Sequence, residues 1–188
     1  MESSRDETAA LIRRAKEHDR EAFAELYRAT VAPVYRYVAA RVVRSEETED
    51  LTQEVFMAAL RGIQGLRAED ESGLMAWLFQ IARYKLADAL RRKYQAPTEP
   101  LEVNVEPVAP AAGPEEAAET LDHQVAVRTA MDQLTGEQRE VLICKYVLNY
   151  DNERTAQQVG KTANAVNQLH HRALRSLQRL LVEAGAVG

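Results

Sequence analysis

The sequence predicts an all-α protein made of two small helical domains joined by an acidic, proline-rich linker. Its 188 residues include only eight glycines and six prolines, and the helix-favouring residues alanine, leucine, glutamate and arginine dominate. Five of the six prolines fall within residues 95–122. On either side of that stretch, apolar residues recur at the three- and four-residue spacing of amphipathic helices. We therefore place one domain at residues 7–94 and the other at residues 123–184.

Composition excludes several classes of protein. Hydrophobic residues make up 46% of the chain, which is enough for a core. There is no run of about 18 apolar residues that could cross a bilayer. The N-terminus lacks the apolar segment of a signal peptide, so we expect a cytoplasmic protein without membrane insertion. The single cysteine, Cys144, excludes an internal disulfide and lies in an apolar helix, which marks it as a core residue. Adjacent His170 and His171 cannot converge on one metal, so we expect no metal and no cofactor.

The linker, residues 95–122, holds seven acidic residues and neither lysine nor arginine, whereas the whole chain has a net charge of −5. A segment this polar cannot bury enough apolar surface to offset the entropy of ordering it. One interpretation is a plain tether between the domains. The other is an acidic strand that occupies a basic channel on a partner.

Two helix starts can be predicted in the first domain. Asp19 is expected to cap a helix that Pro33 kinks or restarts, and Ser45 is expected to cap the next helix. The core face of that next helix is predicted to comprise Leu51, Val55, Phe56, Ala59 and Leu60. A second face is polar and carries Glu47, Asp50, Gln53 and Glu54. Capping and solubility would suffice to explain these acids, because they complement the positive end of the helix dipole.

A loop over residues 66–73 precedes the last helix of this domain, residues 74–95. The helix begins with aromatic residues and becomes basic, through Trp77, Phe79, Arg83, Tyr84, Lys85, Arg91, Arg92 and Lys93. Aromatic residues in a small domain are commonly core. Aromatic faces beside cations also supply the stacking and phosphate neutralisation that single-stranded DNA needs.

The second domain carries the pattern of a helix-turn-helix. Its predicted caps are a Thr135–Gln138 capping box, Asp151 before residues 152–159, Gly160 after them, and Thr162 before a helix from Ala163 to about Leu181. A short helix, a three-residue turn with glycine and a longer helix define the motif.

The last helix has two distinct faces. The apolar face comprises Val166, Leu169, Ala173, Leu177 and Leu180. The opposite face carries Asn164, Asn167, Gln168, His171, Arg172 and Arg175. Amide and guanidinium groups can bond to base edges, and the later arginines can contact phosphates. An ordinary amphipathic helix with a soluble outer face is the simpler alternative.

In this order, the segments resemble bacterial sigma factors of the extracytoplasmic-function (ECF) type. Residues 19–38 resemble the start of region 2, and residues 46–60 resemble the helix that docks on core RNA polymerase. Residues 74–93 resemble the segment that opens and reads the −10 promoter element. Residues 134–147 and 152–177 resemble region 4, which reads the −35 element.

The resemblance implies partners and site residues. Core RNA polymerase, through its β and β′ subunits, would be contacted by Asp50, Gln53 and Glu54. Melted −10 DNA would lie on Trp77, Arg83, Tyr84 and Lys85, with phosphates held by Arg91, Arg92 and Lys93. Residues 62–73 would hold a flipped base. The −35 major groove would receive Lys161, Asn164, Asn167, Gln168, His171, Arg172 and Arg175. Asn167-Gln168 departs from the Lys-Ser that the family often has there. An anti-sigma factor is a further expected partner.

Two other functions compete with that of a sigma factor. A stand-alone helix-turn-helix regulator would need a dimerising surface, and no heptad pattern supplies one. An all-α enzyme would need a catalytic motif, and the sequence has no Gly-rich phosphate loop and no HExxH. We therefore expect a transcription initiation factor that is not an enzyme and has no small-molecule substrate.

Overall fold

The computed structural model describes residues 2–42, 44–95 and 125–186, so most of the predicted linker lies outside the described residues. These ranges are helical and contain no strand, which confirms the all-α prediction. They divide into two compact units, one within residues 1–103 and the other within residues 104–188. None of the helices in the described ranges is both long and apolar enough to span a lipid bilayer.

The first unit consists of four helices and a short turn. They are α1 (Glu2–Lys16), α2 (Arg20–Ala39), α3 (Ser45–Gly62), the 3₁₀ turn Ile63–Gly65 and α4 (Glu71–Gln95). Helices α2, α3 and α4 enclose the core, in which Tyr37 and Phe79 are fully buried with their ring centroids 4.6 Å apart. Helix α1 packs on α2 and buries Ile12 and Ala15. Helix α1 was not predicted from the sequence.

The start of α2 agrees with the prediction. The Asp19 carboxylate accepts hydrogen bonds from the backbone N–H groups of Glu21 and Ala22, at 3.0 and 3.1 Å. The helix does not restart at Pro33 but continues to Ala39. Ala29, whose carbonyl loses its usual donor four residues later, is exposed to solvent, where water can take that donor's place.

Two expectations for α3 are wrong. The N-cap position is occupied by Arg44, not by Ser45, and no side chain caps the helix there. Instead, the Thr48 hydroxyl donates to the Arg44 carbonyl at 3.0 Å. On the expected core face, Leu51, Val55, Phe56 and Ala59 are buried, but Leu60 is 47% exposed. Leu60 follows exposed Met57 by three residues, so both lie on the solvent side of the helix, whereas Ala59 and Ile63 stay buried.

The second unit contains the helix-turn-helix. Its elements are α5 (residues 125–133), α6 (Gly136–Leu142) continuing as a π-helical turn (Ile143–Val147), α7 (Asn152–Val159) and α8 (Ala163–Glu183). The predicted Thr135–Gln138 capping box is present. Cys144 is fully buried, which confirms its assignment to the core. The π-helical turn was not predicted.

Two clusters of apolar residues hold α8 in place. In one, Val166 and Leu169 pack with Val141 and Ala156; in the other, Ala173 packs with Leu134 and Leu142. Leu177 and Leu180 pack against the second cluster. The predicted apolar face of α8 is therefore the face that packs inward, and its opposite face is left to solvent.

Candidate nucleic-acid interface

The polar face of α3 divides into two parts. Asp50 and Gln53 are exposed, while Leu51 and Val55 beside them are buried and orient the helix. Glu54 is half-buried and its carboxylate lies against α4. The three residues that the resemblance assigns to core polymerase therefore do not share one environment.

Glu54 connects the acidic helix to the basic helix. The Nζ of Lys85 donates to Oε2 of Glu54 at 2.9 Å, and Nη2 of Arg92 lies 3.8 Å from Oε1. Nε of Arg92 also lies 3.5 Å from Oδ2 of Asp88, one turn earlier on α4. The hydrogen bond from Lys85 lowers the pKa of Glu54, and the charges of Lys85 and Arg92 act in the same direction. The structure thus brings together residues that the sequence assigned to two different sites.

The residues assigned to the −10 element have unequal exposure. Tyr84 is 67% exposed, whereas Trp77 is half-buried and lines an internal crevice with Phe23, Tyr27 and Phe56. Arg91 and Arg92 are exposed, and Arg83 and Lys85 are half-buried. The side chain of Lys93 lies outside the described part of the chain. Of the two aromatic side chains assigned to −10 DNA, Tyr84 is therefore the more exposed, and Trp77 is partly covered by its neighbours.

The loop between α3 and α4 is anchored at both ends. Ile63 and Leu66 are buried at its start. At its end, the backbone N–H of Gly73 donates to Oδ1 of Asp70 at 2.8 Å, and a Cβ at residue 73 would collide with that of Ala68. Glycine is therefore required at this close approach. A further hydrogen bond, 2.6 Å long, joins the side chains of Gln64 and His18 and ties the loop to the turn after α1.

The caps of the helix-turn-helix are those predicted. The Asp151 carboxylate accepts from the Arg154 N–H at 2.7 Å, and the Thr162 hydroxyl accepts from the Ala165 N–H at 3.2 Å. Gly160 has a φ of 67°, the left-handed conformation that ends α7 and that glycine adopts without strain. The turn that orients α8 is therefore fixed by cap hydrogen bonds and by the backbone conformation of Gly160.

The outer face of α8 presents polar side chains to solvent. Six of the residues assigned to the −35 element are exposed: Asn164, Asn167, Gln168, His171, Arg172 and Arg175. The seventh, Lys161, is half-buried because its Nζ lies 2.7 Å from Oε1 of Glu137, at the start of α6. Glu137 was not predicted as a partner of Lys161, because its position in the chain gave no signal of this contact.

His170 lies at the edge between the two faces of α8. Its Nε2 is 3.1 Å from the hydroxyl of Tyr146, on the π-helical turn. Burial lowers the pKa of His170, and the charges of Lys145 and His171 lower it further. The hydrogen bond to Tyr146 fits a structural role for His170.

Comparison with known proteins identifies this architecture. The family description Sigma-70 region 2 matches residues 26–95, and Sigma-70, region 4 matches residues 124–177. The chain is 33% identical over 180 residues to the ECF RNA polymerase sigma factor SigD of Mycobacterium tuberculosis, an alignment covering 94% of this chain and 84% of SigD. The chain belongs to the family of ECF RNA polymerase sigma factors.

Two solved structures share the fold. One is CnrH in complex with the cytosolic domain of CnrY, with a TM-score of 0.66 and 20% identity, covering 95% of this chain and 99% of that chain. The other is the sigma factor RpoE in complex with the anti-sigma factor NepR from Bartonella quintana. Its TM-score is 0.59 and its identity 20%, over 85% of this chain and 96% of that chain.

Family membership establishes the general activity. The protein is an alternative sigma factor that binds core RNA polymerase and promoter DNA and directs transcription initiation. Sigma factors are initiation factors and not enzymes. The family favours this function over that of a stand-alone helix-turn-helix regulator.

Proposed function

We propose a division of labour between the two units. Residues 7–94 bind core polymerase and open the −10 element, residues 123–184 read the −35 element, and residues 95–122 link them. The observation that carries the proposal is the pair of solvent-facing surfaces: acidic α3 beside basic α4 in one unit, and the amide-rich outer face of α8 in the other.

Core docking is assigned to α3. Asp50 and Gln53 lie one turn apart on an exposed face, with the carboxylate of Glu54 at its edge. An acidic helix face complements a basic surface on the β and β′ subunits and steers its approach. The buried residues of α3 hold this face in a single orientation.

Opening of the −10 element is assigned to α4 and the loop before it. Tyr84 offers a face on which a base can stack, and Lys85, Arg91, Arg92 and Lys93 carry the charge that neutralises phosphates. Arg83 flanks Tyr84 on the same helix. Trp77 acts indirectly, since it packs beneath the loop of residues 62–73 that we assign to a flipped base. The Cζ2 atom of Trp77 lies 3.5 Å from the position that a Cβ would take at Gly62, where that loop begins.

Recognition of the −35 element is assigned to α8. Its first two turns expose Asn164, Asn167 and Gln168, whose amides match the donor and acceptor pattern of adenine in the major groove. His171, Arg172 and Arg175 continue along the same face and reach bases or phosphates. Lys161, in the turn, supplies a phosphate contact.

We also infer regulation by an anti-sigma factor in the cytoplasm. The inference is supported by the solved RpoE structure, in which a sigma factor is bound to the anti-sigma factor NepR. The helix faces assigned above to polymerase and to DNA are the surfaces that such a partner would cover.

The test is run-off transcription with purified bacterial core RNA polymerase on a library of random upstream sequences. We expect discrete transcripts that depend on this protein and share two sequence motifs. Transcripts with a single motif would remove one of the two DNA assignments. Co-elution with core but no transcripts would leave α3 as a docking helix and overturn the assignments on α4 and α8.

A further inference from the structure

The carboxylate of Glu54 faces two cations of α4 and remains partly exposed to solvent. Its two oxygens go to different partners: Oε2 accepts from Lys85 at 2.9 Å, and Oε1 lies 3.8 Å from Nη2 of Arg92. The Lys85 side chain is only 21% exposed. A negative group thus occupies the space between the two cations.

That arrangement has the chemistry of a phosphate site. A carboxylate and a phosphodiester are both anions with two accessible oxygens, and lysine and arginine bind either one through charge-assisted hydrogen bonds. The Arg92 side chain is 58% exposed, and its Nε also lies 3.5 Å from Oδ2 of Asp88. The guanidinium group can therefore rotate toward solvent while its contact with Asp88 is kept. Glu54 itself is 39% exposed, so it can leave without opening the core.

We propose that the carboxylate of Glu54 mimics a DNA phosphate and occupies a phosphate subsite formed by Lys85 and Arg92. The inference rests on the proposed assignment of α4 to single-stranded −10 DNA. The DNA backbone and Glu54 compete for the same two cations. Since Glu54 also lies at the edge of the core-docking face, binding of its carboxylate by polymerase releases the subsite, which couples core binding to DNA binding.

The experiment measures the affinity of the full-length free protein for a labelled single-stranded oligothymidylate of about ten nucleotides. The variant is Glu54→Gln, with Glu54→Ala as a second variant in case the amide perturbs packing. Each additional phosphate neutralised steepens the salt dependence of binding to single strands by about 0.7. We take Glu54→Gln to free one such contact and the two proteins to bind equally near 1 M salt. The variant is then expected to bind more tightly than the unaltered protein by about eightfold at about 50 mM salt and about threefold at about 200 mM.

Glu49→Gln is the matched control. Glu49 is exposed on the same helix, more than a turn before Glu54, so the variant has the same net charge but leaves the Lys85 contact in place. A smaller gain in affinity for Glu49→Gln, and loss of most of the Glu54→Gln gain in a Lys85→Ala background, would support the proposal. Equal gains for Glu49→Gln and Glu54→Gln would overturn it, because they would reflect net charge alone.

Lys85→Ala in the Glu54→Gln background separates this inference from the proposed function, because the carboxylate no longer occupies Lys85 there. If the double variant binds the oligothymidylate as tightly as Glu54→Gln alone, the assignment of Lys85 to DNA fails and this inference fails with it. If the double variant binds more weakly than Glu54→Gln alone while neither Glu54 variant binds more tightly than the unaltered protein, α4 remains a DNA surface and only the role of Glu54 is overturned.

Discussion

Lys161 and Glu137 join the turn of the helix-turn-helix to the start of α6, with Nζ and Oε1 2.7 Å apart. The Glu137 side chain is 64% exposed, so solvent screens the pair and its contribution to stability is small. A lysine held loosely in this way can exchange a carboxylate for a phosphate. Because Lys161 lies in the turn, before the first residue of α8, we expect it to contact the DNA backbone and not base edges.

Lys161→Ala is therefore expected to weaken promoter binding by about the same factor on all −35 sequences. Loss of one phosphate contact should reduce the salt dependence of duplex binding by about 0.9. Binding of the holoenzyme to a set of −35 variants at several salt concentrations measures both. Lys145→Ala is the control, since Lys145 bonds to Asn152 within the same unit. A loss confined to one base position would instead make Lys161 a base reader.

Gln168→Ala is expected to relax selection at one −35 position by about 1–3 kcal/mol, because an exposed amide near the start of α8 can bond to a base edge. Competition between promoter variants for the holoenzyme measures the effect. Gln178→Ala, an exposed change three turns further along the helix, should leave selection unaltered. Uniform weakening on every sequence would show that Gln168 contacts the backbone.

Asp50→Arg is expected to abolish binding to core polymerase while leaving the fold intact, because it reverses a charge on an exposed face turned away from the core of its unit. Co-elution with core measures binding, and circular dichroism reports the fold. Glu49→Arg makes the same change about 100° around the helix and should reduce binding far less. Unaltered core affinity for Asp50→Arg would remove α3 from the docking surface.

The second unit should lose stability in mildly acidic solution through His170. The pKa of His170 is lowered in the folded protein, mainly by burial. The contribution of neutral His170 to stability is therefore fully present above the unfolded pKa of about 6.5. It is lost as the pH falls from there through the pKa of the folded state. Hydrogen exchange of α8 amides, followed from about pH 8 to about pH 5, measures this loss.

His170→Gln should remove that acid sensitivity, because the substituted side chain does not titrate. His171→Gln changes the neighbouring exposed histidine and should keep the sensitivity. If both variants lose protection in acid as the unaltered protein does, the titrating group lies elsewhere.

Gln158→Met is expected to stabilise the second unit. Gln158 is 7% exposed, and its Nε2 is buried without a hydrogen-bond partner among the described residues. Leaving such a donor unsatisfied costs about 1–3 kcal/mol, which a methionine of similar length avoids. Protection of α7 and α8 amides against exchange should rise accordingly. Gln133→Met, at an exposed position of α5, should give no comparable gain.

The features predicted well from the sequence depend on neighbours in the chain. Each predicted cap accepts a hydrogen bond from a backbone N–H two or three residues ahead, as seen for Asp19, Thr135, Asp151 and Thr162. A few consecutive residues are therefore enough to predict these caps. The faces of α8 followed from helical spacing for the same reason. Ser45 failed because the helix begins one residue earlier than its hydroxyl requires, a shift too small for a sequence pattern to resolve.

The features that were missed depend on residues far apart in the chain. Glu54 and Lys85 are 31 positions apart, and their contact forms only because α3 packs on α4. In the sequence, each residue belongs to the polar pattern of its own helix, and neither pattern indicates the other. Helix α1 was overlooked because its apolar face is narrow: Ile12 and Ala15 are buried, with charged residues before and after them in the helix. The π-helical turn, which includes buried Cys144, has no signature in residue type.

In the loop between α3 and α4, the residues that anchor the loop are different from those whose side chains are exposed to solvent. Leu66, Asp70 and Gly73 secure its ends, whereas the side chains of Arg67 and Glu69 between them are exposed. Mutations at these two positions leave the scaffold undisturbed. Under the proposed assignment of this loop to a flipped base, substitutions at Arg67 and Glu69 are expected to alter promoter preference without altering the fold.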